Sequence, residues 1–230
     1  MPAKNRIKKY LSGGVYHIYN RGLEGMEVFR DEQDYQMFVR IMRRYLEEVE
    51  IKEKPGFKLG RPYLLRRRQQ MSLVGEVGLM AYCLMPDHFH LLLQQEGQEG
   101  MVKFMRRVGT NYGMYYNRKY KRQGPVWENV YRAKMVGEER EKLLHVTRYI
   151  HLNPVVRKVA RFGPVETVTV SKPEEYSYSS YRCYLGLERD KWVSPVVSGE
   201  EIDKYRKWVE DPKIDSEKFL GDLILESKKG

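Results

Sequence analysis

The sequence has few cysteines, no long apolar run and no phosphate-binding glycine loop. Its 230 residues include only Cys83 and Cys183, and two isolated thiols build neither a disulfide framework nor a structural zinc site. No apolar run reaches the roughly 18 to 20 residues that span a bilayer, and no signal-peptide core follows the basic N-terminus. The missing P-loop argues against a nucleotide cofactor. These absences predict a cytoplasmic protein without a membrane partner.

Positive charge dominates the composition. The chain has 42 Lys and Arg residues against 31 Asp and Glu residues, a formal net charge of +11, which favours partners that carry phosphate. A hydrophobic content of 41% predicts a folded core. We expect one domain with extensions: a basic arm at 1–12, the domain at 13–160, and a C-terminal extension at 161–230 that packs on it.

The hydrophobic periodicity predicts an alternation of strands and helices. The predicted elements are a strand at 13–22, a helix at 31–48, a loop or insertion at 51–75, strands at 76–85 and 88–95, a helix at 99–121, a strand within 124–136 and a helix at 138–153. This order predicts an α+β fold with a ferredoxin-like antiparallel sheet. We expect helices packed mainly on one face of the sheet, plus a C-terminal helical extension.

The stretch "MPDHFHLLL" places two histidines at the start of a predicted strand. Residues i and i+2 of a strand share a face, so His88 and His90 project together. Two adjacent imidazoles can hold a metal ion with coordination positions open for substrate oxygen. The alternative is that each histidine is a half-buried strand residue satisfied by a neighbour, which is the commoner role of an arbitrary H-x-H.

The predicted helix at 138–153 carries a polar stripe. His145, Tyr149 and Asn153 are spaced four residues apart and therefore lie on one side of the helix. The alternatives are that Tyr149 is a core-edge tyrosine and that Asn153 only ends the helix, since the residue before a proline disfavours the α conformation. Tyr112 and Tyr115 extend an apolar stripe of the preceding predicted helix.

Basic residues form two groups that suit a nucleic-acid backbone. The first group lies in the N-terminal arm and comprises Lys4, Arg6, Lys8 and Lys9. The second interleaves with tyrosines along and just after the helix at 99–121 and comprises Arg106, Arg107, Arg118, Lys119, Lys121 and Arg122. The alternatives are a disordered arm and an ordinary solvated helix face.

Several motifs occur along the chain in a fixed order. "VYHIYNRG" is followed by "PDHFHLLL", "GPVWENVYRAKMV", "RYIHLNPV" and "YSYSSYRCYLG". The second matches the His-hydrophobe-His motif of the HUH single-tyrosine transposases, and the fourth resembles their nucleophile helix. The series is most similar to the REP-associated tyrosine transposases, a cell-resident branch linked to palindromic repeats in bacterial genomes. The resemblance covers residues 13–186.

The resemblance implies a reaction and its participants. Tyr149 matches the nucleophile, while His88, His90 and Asn153 match the ligands of a divalent metal, Mg²⁺ or Mn²⁺. Tyr116 is the second candidate for the nucleophile. The implied activity is cleavage and rejoining of single-stranded DNA through a 5′-phosphotyrosine. The implied partner is single-stranded DNA with a foldback hairpin. A monomer is expected from the REP-associated branch, with a dimer as the alternative.

Two other functions compete with this hypothesis. A non-catalytic, domesticated nucleic-acid-binding protein explains the charge equally well, but not the joint presence of the histidine pair, Tyr149 and Asn153. A two-histidine phosphoesterase needs two H-x-T or H-x-S motifs, whereas this chain has one H-x-H. The sequence therefore favours a metal-dependent DNA strand transferase.

Overall fold

A four-stranded antiparallel sheet organises the part of the chain that the structure, a computed structural model, describes: residues 10–48, 71–97, 99–155 and 170–223. Its strands are β1 (Val15–Arg21), β2 (Val77–Met85), β3 (His88–Gln95) and β4 (Arg132–Met135). They lie in the order β2-β3-β1-β4, and each neighbouring pair is antiparallel. With a helix after β1 and another after β3, this is a ferredoxin-like arrangement, and the predicted α+β class is confirmed.

Two long helices cover one face of this sheet. They are α1 (Glu32–Leu46) and α2 (Gly100–Lys119). Helix α1 begins after Asp31, whose side chain accepts a hydrogen bond from the backbone N–H of Asp34 and so satisfies a donor of the first turn. Phe38 of α1 and Phe104 of α2 pack with Leu91 of β3 in one apolar cluster.

The opposite face carries α3 (Arg140–Leu152) and the C-terminal extension. The extension contains the helices α4 (Tyr181–Tyr184), α5 (Ile202–Glu210) and α6 (Ser216–Leu220). Val146 and Ile150 of α3 share a second apolar cluster with Leu92 of β3. Strands β1, β2 and β3 are covered on both faces, and the sequence of β2, VGLMAYCLM, is apolar throughout.

The extension also covers the outer edge of β2. The Ser180 N–H donates to the carbonyl oxygen of Tyr82 at 2.9 Å, and the Leu84 N–H donates to that of Tyr178 at 2.9 Å. The Trp192 ring stacks on that of Tyr82, with 5.4 Å between centroids. The edge at β2 is thus paired with the extension, whereas no strand among the described residues pairs with the outer edge of β4, the open edge of the sheet.

Several predictions fall on residues that the structure does not describe. They include the basic arm up to residue 9, the loop or insertion up to residue 70 and the domain boundary at 160. The strands and helices expected elsewhere occur with small shifts at their ends. Within the described part of the chain, no helix combines the length and the apolar character needed to cross a bilayer.

Candidate active site

His88 and His90 project from one face of β3. Across the sheet, His88 pairs with Arg21 and His90 pairs with Tyr19 of β1. Directly paired residues of antiparallel strands point to the same side of a sheet. The two imidazole rings lie on the side covered by α3, with 5.0 Å between their centroids.

Tyr149 reaches the histidine pair from α3. Its ring stands edge-on to that of His90, with 5.4 Å between centroids. Val146 and Ile150, on the same side of the helix, are fully buried and fix the face that α3 turns toward the sheet. Tyr149 itself is only 5% exposed. The helix therefore holds a phenol against the imidazole of a strand.

Asn153 lies at the end of α3 and turns back toward the site. Its Nδ2 donates to the backbone carbonyl oxygen of Tyr149 at 2.9 Å. The same side chain lies near the ring of His90, where it raises the pKa of that imidazole. The structure thus brings together the four residues predicted to form the catalytic and metal site: His88, His90, Tyr149 and Asn153. Their roles stay predictions.

Asp87, to which the sequence analysis assigns no role, contacts His88. Its Oδ1 lies 2.5 Å from His88 Nδ1, and its Oδ2 lies 3.3 Å from Nε of Arg21. Burial raises the pKa of Asp87, but the hydrogen bond and charge of His88 and the charge of Arg21 outweigh it, so the net pKa lies below its ordinary value. An ionised carboxylate on Nδ1 orients the ring and directs Nε2 to another ligand. Adjacency to the H-x-H is the signal that the sequence offers.

A third histidine, His17 of β1, lies beside His90. Its Nε2 is 3.0 Å from His90 Nδ1, and its Nδ1 is 2.8 Å from the backbone carbonyl oxygen of Leu223. The two rings stack, with 5.2 Å between centroids. The sequence analysis assigns His17 no role. Its hydrogen-bond partners, His90 and Leu223, are remote in sequence and come close only when the strands pair and the C-terminal extension docks.

Burial controls the charge of the two inner histidines. Desolvation lowers the pKa of His17 to about 4, against the opposing effect of its backbone hydrogen bond. Desolvation, followed by the charges of the neighbouring histidines, lowers the pKa of His90 well below its usual value, although a hydrogen bond to Asn153 opposes this. Both rings are therefore neutral at physiological pH, the form in which imidazole binds metal ions.

The donor atoms of the site suit a divalent cation. Asp87 engages Nδ1 of His88, so Nε2 is the remaining nitrogen of that ring. His17 does the same at Nδ1 of His90. The amide of Asn153 adds an oxygen beside His90. Imidazole nitrogens and an amide oxygen are donor types that can bind a divalent cation.

Comparison with known proteins finds a similarity in this part of the chain. Residues 62–153 match the family model described as "Transposase IS200 like". The match covers less than half of the chain and shows a similarity of this region to IS200-like transposases. The IS200-like region runs from before β2 to the end of α3, and it contains all four predicted site residues. His17 and the C-terminal extension lie outside it.

Other comparisons give weaker similarity. A solved structure described as "Structure of the REP associates tyrosine transposase bound to a REP hairpin" aligns with 13% sequence identity and a TM-score of 0.49. The alignment covers 86% of this chain and 96% of that chain. No curated protein matches the sequence.

The side of α3 that faces away from the sheet is held by the C-terminal extension. Arg148 donates to the backbone carbonyl oxygen of Asp211 at 2.8 Å. Nδ1 of His151 lies 3.0 Å from the hydroxyl oxygen of Tyr205. His145, a member of the predicted polar stripe, stacks on an aromatic ring of α6 rather than joining the site. Helix α3 is thus enclosed between the sheet and the extension.

The basic residues predicted at 99–122 lie away from this site, because α2 packs on the opposite face of the sheet. Lys119 forms ion pairs with Asp31 at 2.6 Å and with Asp34 at 2.7 Å. Arg107 donates to the backbone carbonyl oxygen of Met71 at 2.7 Å. The other predicted residues of this group are Arg106, Arg118, Lys121 and Arg122. The arm residues Lys4, Arg6, Lys8 and Lys9 lie outside the described part of the chain.

Two cations that the sequence analysis does not single out lie on the site face. Arg132 pairs with Tyr19 and Lys134 pairs with His17, so both side chains of β4 point to the side that carries the histidines. Both residues are exposed. Their alternation along "YRAKM" is the signal available in the sequence, but it does not show which face of the sheet they occupy.

Tyr116, the second candidate nucleophile, lies in the core between α2 and the sheet. It is fully buried, and its hydroxyl donates to the backbone carbonyl oxygen of Glu27 at 2.7 Å. Tyr112 is also fully buried and donates to the backbone carbonyl oxygen of Val28. The packing therefore accounts for these two tyrosines without a catalytic role.

One further cluster of potential metal ligands occurs among the described residues. Donor atoms of Cys183, Glu188 and Asp190 lie within 4.8 Å of one another. Arg182 already pairs with Glu188 at 2.5 Å. Burial, with a smaller effect of Asp190, raises the pKa of the Cys183 thiol to about 11. A protonated thiol beside a neutralised carboxylate is a poor metal ligand set, and we assign no site there.

Proposed function

We propose that this protein cleaves and rejoins single-stranded DNA through a covalent phosphotyrosine. The observation that carries the proposal is the approach of Tyr149 on α3 to the His88–His90 pair on β3, within the IS200-like region. A hairpin-containing substrate is proposed from the resemblance of the ordered motifs to the REP-associated transposases.

A divalent ion, Mg²⁺ or Mn²⁺, is proposed to bind His88, His90 and Asn153. When bound, it would withdraw charge from a non-bridging oxygen of the target phosphate. Asp87 orients the His88 ring for this task, and the neutral state of the buried His90 ring keeps its lone pair available. These three ligands would leave room for the phosphate.

Tyr149 is proposed as the nucleophile. Its Oη attacks phosphorus, a new O–P bond forms and the bond from phosphorus to the 3′ oxygen breaks. The phenolic proton passes to solvent, and the leaving 3′ oxygen takes up a proton. The products are a 5′-phosphotyrosine and a free 3′-hydroxyl. One phosphoester replaces another, so a second 3′-hydroxyl can reverse the reaction without ATP.

The DNA strand is proposed to cross the open edge of the sheet at β4. Arg132 and Lys134 are exposed on the site face, one strand away from His17 and Tyr19. Positive side chains in this position can contact phosphates on either side of the cleaved bond. This path does not require the basic residues of α2, which lie on the other face.

The protein is proposed to act as a monomer. The nucleophile and the histidine pair meet within one chain, and α3 is fastened to the C-terminal extension by Arg148 and His151. An exchange of α3 between two subunits would have to break these buried contacts. A dimer that exchanges the helix is the alternative.

The test of the proposed reaction is a covalent trap. The protein is incubated with Mn²⁺ and single-stranded oligonucleotides that carry a foldback hairpin, randomised flanks and a 3′ label. We expect a labelled adduct that survives denaturing electrophoresis in the wild type and in Tyr116→Phe, but not in Tyr149→Phe. An adduct that persists in Tyr149→Phe would refute the assigned nucleophile. Hairpin binding without any adduct would favour the non-catalytic nucleic-acid-binding alternative.

A further inference from the structure

His17 occupies a buried position from which it can determine where the proton of His90 resides. It is fully buried, and both of its ring nitrogens have partners. The partner of Nδ1 is the backbone carbonyl oxygen of Leu223, at 2.8 Å. A carbonyl oxygen only accepts hydrogen bonds, so this contact requires a proton on Nδ1 of His17.

The position of this proton determines the role of the other nitrogen. A cationic imidazole is costly in a buried site, and the partners of His17 are a carbonyl and another imidazole rather than a carboxylate. In the neutral ring, a proton on Nδ1 leaves Nε2 as an acceptor. The atom 3.0 Å away, Nδ1 of His90, must then be the donor.

We propose that His17 is a positioning residue, through which the Leu223 carbonyl of the C-terminal extension fixes the tautomer of His90. With the proton on its Nδ1, the neutral His90 ring has an unprotonated Nε2 that can bind a cation together with the amide oxygen of Asn153. The inference rests on the proposed role of His90 as a metal ligand.

The arrangement links the IS200-like region with residues that lie outside it. His90 lies in the IS200-like region, whereas His17 and Leu223 lie outside it. His88 is oriented by its own sequence neighbour Asp87. His90 instead depends on a strand and an extension that are remote in sequence. The extension is therefore part of the metal site and does more than cover the apolar face of α3.

The first test measures the tautomers directly. The chain has only five histidines, so long-range ¹H–¹⁵N correlation spectra of ¹⁵N-labelled protein can be assigned from single substitutions. In the metal-free wild type we expect the proton on Nδ1 in both His17 and His90. A proton on Nε2 of His90 would overturn the inference, and this measurement needs no altered protein that might misfold.

The second test separates positioning from packing. His17→Phe keeps a ring but removes the acceptor, while His17→Gln replaces Nε2 with an amide oxygen. Loss of such an outer partner typically weakens metal affinity by about 10- to 100-fold. We expect this loss for Mn²⁺, followed by electron paramagnetic resonance, in His17→Phe and a substantial recovery in His17→Gln. His145→Phe, the same change on the far side of α3, should bind Mn²⁺ as the wild type does.

The outcomes distinguish this inference from the proposed function. Unchanged Mn²⁺ affinity in His17→Phe, with the His90 tautomer also unchanged, would refute the role of His17. A wild type with the expected tautomers that binds no Mn²⁺ would support the hydrogen-bond chain and overturn the proposed metal site.

Discussion

Neutralising the two cations on β4 should reduce the salt dependence of DNA binding. The variant Arg132→Gln/Lys134→Gln removes two exposed charges from the face that carries the histidines. Both positions tolerate the change, because these side chains lie outside the apolar clusters and the backbone pairing with β1 is retained. The prediction therefore concerns binding and not folding.

The magnitude follows from counterion release. Each phosphate contact on single-stranded DNA contributes a slope of about −0.7 to the dependence of log affinity on log salt. Loss of two contacts should make the slope shallower by about 1.4. Between 50 and 200 mM salt, the wild type should then lose about sevenfold more affinity than the variant.

The assay is fluorescence anisotropy with a labelled hairpin oligonucleotide at several salt concentrations. The matched control, Arg106→Gln/Arg118→Gln, removes the same charge from α2 on the opposite face. We expect the control to keep the wild-type slope. A shallower slope in the control together with a wild-type slope in the β4 variant would refute the proposed path. It would indicate instead that DNA binds the basic residues of α2 that the sequence analysis predicts.

Three further predictions address the site and its support. His88→Ala and His90→Ala should abolish the covalent adduct while retaining most hairpin affinity in a gel shift, because phosphate contacts dominate binding; cleavage at wild-type rate in Mg²⁺ would remove the metal role. A mixture of Tyr149→Phe and His88→Ala proteins should stay inactive, whereas restored cleavage would show that sites form across subunits. Arg148→Met should lower the free energy of unfolding in urea by about 3 kcal/mol, since a buried charged donor loses its bonds to the extension; a loss below about 1 kcal/mol would contradict this anchoring role.

The hairpin of β2 and β3 and the position of its histidines are predictable because they depend on local patterns. An apolar run, a Pro-Asp turn and a second apolar run specify the hairpin, and the two-residue period places His88 and His90 on one face. Helical spacing similarly places Tyr149 and Asn153 on one side of α3. The local pattern does not show that this helix approaches β3. That approach is expected only from the family resemblance of the ordered motifs.

The parts of the site that escape prediction depend on contacts between distant segments. His17 lies within an apolar stretch, and its hydrogen bonds to His90 and Leu223 exist only once β1 pairs with β3 and the extension docks. The periodicity of α2 likewise shows that its basic residues share a surface. It does not show that this surface lies behind the sheet, away from Tyr149.

The open edge at β4 has a consequence for how copies of this protein meet one another. The edge of β2 is paired with the extension, but in the described part of the chain no strand pairs with the outer edge of β4, so its backbone groups are available to a strand of another molecule. The apolar residues Val130, shortly before β4, and Met135, its last residue, are exposed. Natural sheets commonly protect such edges with charged side chains. Arg132 and Lys134 therefore repel a second β4 edge in the absence of DNA. A bound polyanion such as single-stranded DNA would cancel that repulsion. Edge-to-edge aggregation should therefore begin where several copies of the protein bind close together on one long strand.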